Sequence, residues 1–229
     1  MIPLKDDIPS ARLPIVTIAL VAINCLVYLY LKSLGGEGYE SALFRLGTIP
    51  YEITQGVELN PGNAFPVPLT LFTAMFLHGG FLHLAGNMLY LWIFGDNIED
   101  RLGHVKFFIF YILSGMAASL LFVLTSPQSQ IPMVGASGAI AGVLGAYMIT
   151  FPKARILTLV FFGFFIRVTP IPALFLLGFW FLFQLLYALP SIGSTSSGVA
   201  FFAHVGGFLA GIVLFKILTL FSKKRYYYA

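Results

Sequence analysis

From Ile156 to Ile166 the chain reads ILTLVFFGFFI, eleven residues without a charge, with Arg155 before it and Arg167 after it. The reading of this stretch decides how many times the chain crosses a membrane. As a helix it reaches roughly 16 Å, about half of a ~30 Å hydrocarbon core. As a lone strand it would hold unpaired backbone N–H and C=O groups against lipid, which is prohibitively costly. The stretch therefore reads as a re-entrant or interfacial loop and not as a span.

The rest of the chain supports that setting. Hydrophobic residues make up 59% of the sequence and charged residues 10%, with a mean hydropathy of +0.91. Soluble domains carry roughly a quarter charged residues, so this chain has too few to cover a water-facing surface. Six apolar runs are long enough to be spans, at about 13–32, 80–95, 105–125, 133–151, 171–189 and 199–221. Apolar residues from Leu69 to Leu77 extend or precede the short second run. The first run is long for the core of a signal peptide and lacks a small-x-small cleavage site, so it reads as a permanent span. Cys25 is the single cysteine, which excludes an intrachain disulfide. No basic stripe interleaved with aromatics is present, and nucleic acid is not an expected partner. The expectation is an all-α, polytopic bundle of six transmembrane helices, one membrane domain over 1–229, with no internal repeat. Oligomeric state leaves no mark in the sequence.

Basic residues orient the bundle. With the N-terminus in the cytoplasm, the inside pieces hold Lys5, Arg12, Arg101, Lys106, Lys153, Arg155, Arg167, Lys216, Lys223, Lys224 and Arg225, while Lys32 and Arg45 lie outside. This asymmetry follows the positive-inside rule and predicts that both termini are cytoplasmic. The tail Lys223-Lys224-Arg225-Tyr226-Tyr227-Tyr228 suits an inner interfacial anchor. An outer loop over 33–69, rich in proline and glycine, is long enough to serve a function or to contain short helices.

Polar groups inside spans are expensive and are functional candidates. His78, His83 and Asn87 sit at the start of the second run, Ser137 opens the fourth, and His204 lies early in the sixth. These three runs all descend from outside to inside, so Ser137, His204, His83 and Asn87 share the outer half of the bilayer. His83 and Asn87, four apart, project from one helix face. Gly138 and Gly142, and Ala203, Gly207 and Gly211, form small-residue ridges that let helix backbones approach closely. A serine hydroxyl beside an imidazole on a neighbouring helix is an activated nucleophile. Amides at the start of span four, with Asn87 and His83, are candidate donors to an oxyanion. Ser137 equally has the form of a simple helix N-cap, and His83 and Asn87 that of interhelical glue. His104 reads as a loop residue on the inner side.

The acids narrow the chemistry. No Asp or Glu follows residue 100, and Asp96, Glu99 and Asp100 lie at the inner end, across the bilayer from Ser137. A Ser-His-Asp triad is disfavoured and a Ser-His dyad remains. Paired aspartates at that depth and an HExxH zinc motif are both lacking.

The runs His78-Gly79-Gly80-Phe81-Leu82-His83-Leu84-Ala85-Gly86-Asn87, GASGAIAG over 135–142, and Ala203-His204-Val205-Gly206-Gly207 resemble the prokaryotic rhomboid proteases. The resemblance covers nearly the whole chain. It implies a Ser137 nucleophile, a His204 general base and oxyanion assistance from Asn87 and His83; His78, as a loop stabiliser or a substrate contact, and Gly138, as a packing residue, are candidates for support. It implies no cofactor and no metal, and substrates that are single-pass membrane proteins cut near the outer face where a helix unwinds easily. It also implies a lateral gate on span five with Trp180, Phe179 and Phe183. The compact plan points to a prokaryotic plasma membrane. A non-catalytic relative that binds membrane clients is the alternative. Two features depart from the family pattern. The Trp-Arg pair common in the first outer loop is missing, the only tryptophans being Trp92 and Trp180. Where some relatives carry an aromatic ring four residues after the serine this chain has Ala141, which leaves the orientation of His204 unassigned.

Overall fold

A computed structural model describes residues 1–60, 65–163, 165–191 and 200–220; the aromatic-basic tail lies outside them. Each apolar run carries a helix. In chain order the helices are α1 (Ile15–Ser33), α2 (Gly35–Leu46), α3 (Pro50–Gln55), α4 (Thr70–Thr73), α5 (Phe81–Leu102), α6 (His104–Thr125), α7 (Ser137–Thr150), α8 (Ala173–Ala188) and α9 (Phe201–Thr219). Among the described residues, α1, α6 and α9 are long and apolar enough to cross a membrane alone. Val67–Phe76 and α5 are long and apolar enough only when taken together, and they are bent by 78° at the break between them. The apolar residues before the second run therefore precede its helix at an angle. α7 and α8 are apolar but shorter, at 14 and 16 residues.

The stretch quoted first corrects the all-α expectation. Ile156–Ile166 is not a loop but most of a hairpin, β2 (Arg155–Phe162) and β3 (Phe165–Pro172), and β1 (Ile2–Lys5) completes a sheet in the order β1-β2-β3. Pairing removes the objection to a lone strand: β2 is hydrogen-bonded on both sides, to β1 from Ile2↔Leu159 and to β3 from Arg155↔Pro172 onward. The prolines Pro3, Pro170 and Pro172 all fall on the outer strands, where a missing N–H is tolerated. Ile156 and Thr158 are buried on one face, while Leu157, Phe161, Ile166 and Val168 are exposed.

The C-terminal end of α5 is polar, yet Asn97, Glu99 and Asp100 are buried there. The helix runs beyond the apolar run of about 80–95 to Leu102, because its acids have partners. Glu99 is 1% exposed. It accepts hydrogen bonds from the backbone N–H groups of Val16 (2.9 Å) and Thr17 (2.8 Å) and from Thr17 Oγ1 (2.7 Å). Pro14, at the N-cap of α1, makes no side-chain cap bond, so Glu99 satisfies the orphan amides of that helix and its charge complements the helix dipole. His104 is not a loop residue; it opens α6, with Nδ1 2.6 Å from Glu99 Oε1. Glu99→Ala leaves these donors buried and unpaired, and is expected to cost about 3 kcal/mol. Thermal unfolding in detergent checks this; an unchanged midpoint would contradict it.

The N-terminal segment straps the same end. Asp6 accepts from Tyr147 Oη (2.5 Å) and Asn97 Nδ2 (2.8 Å), Asp7 accepts from the Arg155 amide (2.8 Å), and Asp100 accepts from the Ala11 amide (2.7 Å). Burial, with Asp96 and Asp7 nearby, outweighs the Tyr147 hydrogen bond and raises the Asp6 carboxyl from 3.8 to about 6. A carboxyl raised on folding destabilises the folded form as it ionises. The penalty is absent below about pH 4 and complete above about pH 6. Asp6→Asn is therefore expected to melt above wild type at pH 7.5, with the difference vanishing near pH 4. A difference independent of pH would refute this assignment.

α7 occupies the centre. Every residue from Gly138 to Tyr147 is buried, as befits a helix apolar all round. It packs chiefly against α9, α6 and α5. The small-residue ridges make the closest contacts. A Cβ at Gly207 would lie 2.0 Å from the Gly138 carbonyl oxygen, one at Gly211 2.2 Å from that of Gly142, and one at Gly145 2.3 Å from that of Phe208. On the other side, Cβ atoms at Gly138 and Gly142 would meet Ala118 at 2.6 Å and Ser114 at 2.5 Å on α6. The backbones of α7 and α9 thus touch as the ridge spacing predicts.

Candidate active site

The contact of α7 with α9 brings the two reactive residues together. His204 Nε2 lies 2.8 Å from Ser137 Oγ. Ser137 is not the N-cap of α7: Ala136 holds that position without a side-chain cap bond, and Ser137 is the first helical residue. The simple capping reading of Ser137 therefore does not fit, and its hydroxyl is committed to the imidazole.

The approach to Ser137 is shaped by Gly135. Its φ of 130° lies in the region that favours glycine. A Cβ there would also stand 2.8 Å from His83 Nε2. The Gly135 N–H donates to the Ala74 carbonyl (2.9 Å), which ties this loop to the segment before α5. Met133 and Thr48 exchange backbone hydrogen bonds of 3.0 and 2.8 Å, which pins the first long loop to the same place. Tyr39 Oη donates to the His78 carbonyl, and Lys32 Nζ sits 3.7 Å from the centre of the Tyr39 ring. These contacts hold the loop without the Trp-Arg pair.

His83 and Asn87 stand one turn apart on α5, and both line the cavity of about 520 Å³ that Ser137 and His204 face. The Gly79 N–H donates to His83 Nδ1 at 3.3 Å. With Nδ1 accepting, the ring proton sits on Nε2, the nitrogen beside Gly135. Asn87 is 8% exposed, and its Nδ2 has no hydrogen-bond partner among the described residues. A buried unsatisfied donor costs about 1–3 kcal/mol. Here it is an unspent donor in the same cavity as the serine. His78 is buried behind His83, with ring centroids 5.2 Å apart; it is absent from the cavity lining, whereas Gly138 is part of it. Among the described residues, no group of three or more His, Cys, Asp or Glu side chains gathers as metal ligands.

The orientation of His204, unassigned in the sequence, comes from α8. Trp180 packs its ring 5.8 Å from the imidazole at 39°. Gln184, one turn further on, places Oε1 2.7 Å from His204 Nδ1. The missing ring at Ala141 is thus supplied from another helix. Sequence reasoning named Trp180 only for the gate and passed over Gln184. The signal was the spacing of four between Trp180 and Gln184, the one amide in the α8 run. Phe179 and Phe183 are exposed on the outer side of α8.

Comparison with known proteins identifies the family of the chain. The family model of the rhomboid domain matches residues 67–221. The chain is 31% identical over 189 residues to rhomboid protein 1, mitochondrial, of Saccharomyces cerevisiae, covering 77% of this chain and 50% of that protein. It is 31% identical over 187 residues to RHOMBOID-like protein 6, mitochondrial, of Arabidopsis thaliana, covering 79% of this chain and 50% of that protein. With rhomboid protease GluP of Bacillus subtilis it shares 32% identity over 136 residues, 59% of this chain and 24% of the relative. The chain spans half the length of these relatives, or less. The match runs from the segment before α5 to the end of α9 and takes in every residue of the cavity's polar wall, and the chain belongs to the rhomboid family.

Proposed function

We propose that this chain is an intramembrane serine endopeptidase that hydrolyses peptide bonds in or near transmembrane segments of single-pass proteins. The observation that carries the proposal is the 2.8 Å contact of His204 Nε2 with Ser137 Oγ in a cavity that also holds an unpartnered Asn87 amide. In this reading His204 takes the hydroxyl proton as Ser137 Oγ attacks the scissile carbonyl. The oxyanion that forms accepts hydrogen bonds from His83 Nε2–H, Asn87 Nδ2–H and the free amides that open α7. His204 then protonates the leaving amine, and water repeats the sequence on the acyl-enzyme. No side chain in this scheme needs a cofactor.

The topology belongs to the same proposal: six spans with both termini in the cytoplasm, in a single membrane domain. At roughly 1.5 Å per residue α7 reaches about 21 Å, less than a ~30 Å core, which leaves Ser137 within the bilayer. The bundle that surrounds α7 spares it from crossing alone. The exposed apolar face of the hairpin is assigned to the inner interface. Substrates are helices that unwind easily enough to offer a strand to Ser137. The named relatives include mitochondrial proteins as well as one from Bacillus subtilis. They do not favour the prokaryotic plasma membrane over other membranes.

The experiment is cleavage of a single-pass substrate reconstituted in vesicles with wild type or Ser137→Ala. Cleavage by wild type alone supports the proposal. Equal cleavage by both overturns the nucleophile assignment, and cleavage by neither favours the client-binding alternative.

A further inference from the structure

A neutral imidazole has one acceptor nitrogen and one N–H, and a general base needs its acceptor on the side of the nucleophile. The hydrogen bond made by the far nitrogen sets which tautomer is present. In His204 the far nitrogen is Nδ1, and what it meets is the carbonyl oxygen Oε1 of Gln184 at 2.7 Å. An oxygen acceptor at that distance requires the proton on Nδ1. Nε2 is then left with its lone pair toward Ser137 Oγ, 2.8 Å away. A reversed tautomer would present N–H to the hydroxyl and abolish base function.

The alternatives for this position can be weighed. A carboxylate at Nδ1 would hold the same tautomer and stabilise the imidazolium, but a buried charge within a bilayer is expensive. An amide orients the ring at lower cost. The grip has two parts, since Trp180 on the same face of α8 packs near the imidazole at 5.8 Å. Its own position is set by Phe208 on α9, 6.1 Å away, and Phe208 in turn stacks on Phe181 at 4.5 Å. Both contacts to His204 come from α8, so its seating against α9 supplies the acceptor and the ring together.

We infer that Gln184 is a positioning residue for His204, fixing the tautomer in which Nε2 faces Ser137 and making the competence of the base depend on the seating of α8. The inference rests on the protease reading of Ser137 and His204, but its first test does not. Nitrogen-15 spectra of the full chain, labelled at histidine and held in lipid nanodiscs, report the tautomer directly, with His204 assigned by its loss in His204→Ala. Wild type is expected to carry the proton on Nδ1 of His204. In Gln184→Met, which keeps the length and removes the oxygen, that preference is lost. The kcat for cleavage is expected to fall about 10- to 100-fold in this variant with KM unchanged. A His204 protonated at Nε2 in wild type overturns the inference, as does a Gln184→Met variant with unaltered tautomer and kcat. Should Gln184→Met not fold, Gln184→Glu restores an acceptor and adds charge. It is expected to move the acid limb of the kcat profile up by about one pH unit, because a carboxylate favours the imidazolium. A limb that stays in place overturns the inference. Failure of the protease reading is seen separately, as cleavage that survives Ser137→Ala.

Discussion

His204→Ala is expected to lower the rate of substrate cleavage by about 10⁴-fold or more, Ser137→Ala by a similar factor, and the double substitution by no more than either alone. The two side chains share one hydrogen bond of 2.8 Å. Without the imidazole, Ser137 must lose its proton to water, a far weaker base. Without the hydroxyl, His204 has no proton to take. Residues that act as one unit give non-additive losses, whereas independent contributors multiply. Single-turnover cleavage in vesicles separates the cases. A double substitution about 10⁴-fold slower than either single would mean that the two residues do not form a dyad.

Gly211→Val is expected to have the largest effect on the fold. A Cβ at residue 211 would stand 2.2 Å from the Gly142 carbonyl oxygen and 2.4 Å from its Cα. The obstruction is backbone, so no rotamer change relieves it. The helices must separate, which costs about 3 kcal/mol or more by the measure of overpacked cores. For a chain of this size each kcal/mol moves the midpoint by about 2–4 °C. A fall of about ten degrees is therefore expected on thermal unfolding in detergent. Separation also draws His204 from Ser137, because α7 and α9 carry one residue each. A displacement of about 1 Å at a reacting centre costs about 10²-fold in rate. Gly178→Ala on α8, where a Cβ meets nothing within 4 Å, is the control and should leave both properties near wild type. An unaltered midpoint in Gly211→Val would contradict the close packing.

The parts of the molecule that could be read from sequence are those written in local chemistry. Span-length apolar runs, the ridges Gly138/Gly142 and Gly207/Gly211, and the placing of Ser137 and His204 on neighbouring helices follow from composition, spacing and depth. Other features depend on partners distant in the chain. ILTLVFFGFFI does not read as a strand, because a strand alone exposes its backbone and nothing local to it announces that Ile2–Lys5 pairs along its free edge. Glu99 had the form of a flanking charge, since the amides it satisfies belong to α1, more than eighty residues earlier. Gln184 is hard to read for a similar reason: the imidazole it meets lies on α9, twenty residues later, whereas Asn87 stands one turn from a histidine on its own helix.

The central claim, that Ser137 is a nucleophile activated by His204, is tested most directly by a serine-directed fluorophosphonate. The full chain is labelled in membranes, and the modified residue is mapped by mass spectrometry. The account predicts a single adduct on Ser137 that is lost in Ser137→Ala and strongly slowed in His204→Ala. An adduct that persists on another residue in Ser137→Ala, or labelling of Ser137 at the wild-type rate without His204, would contradict it.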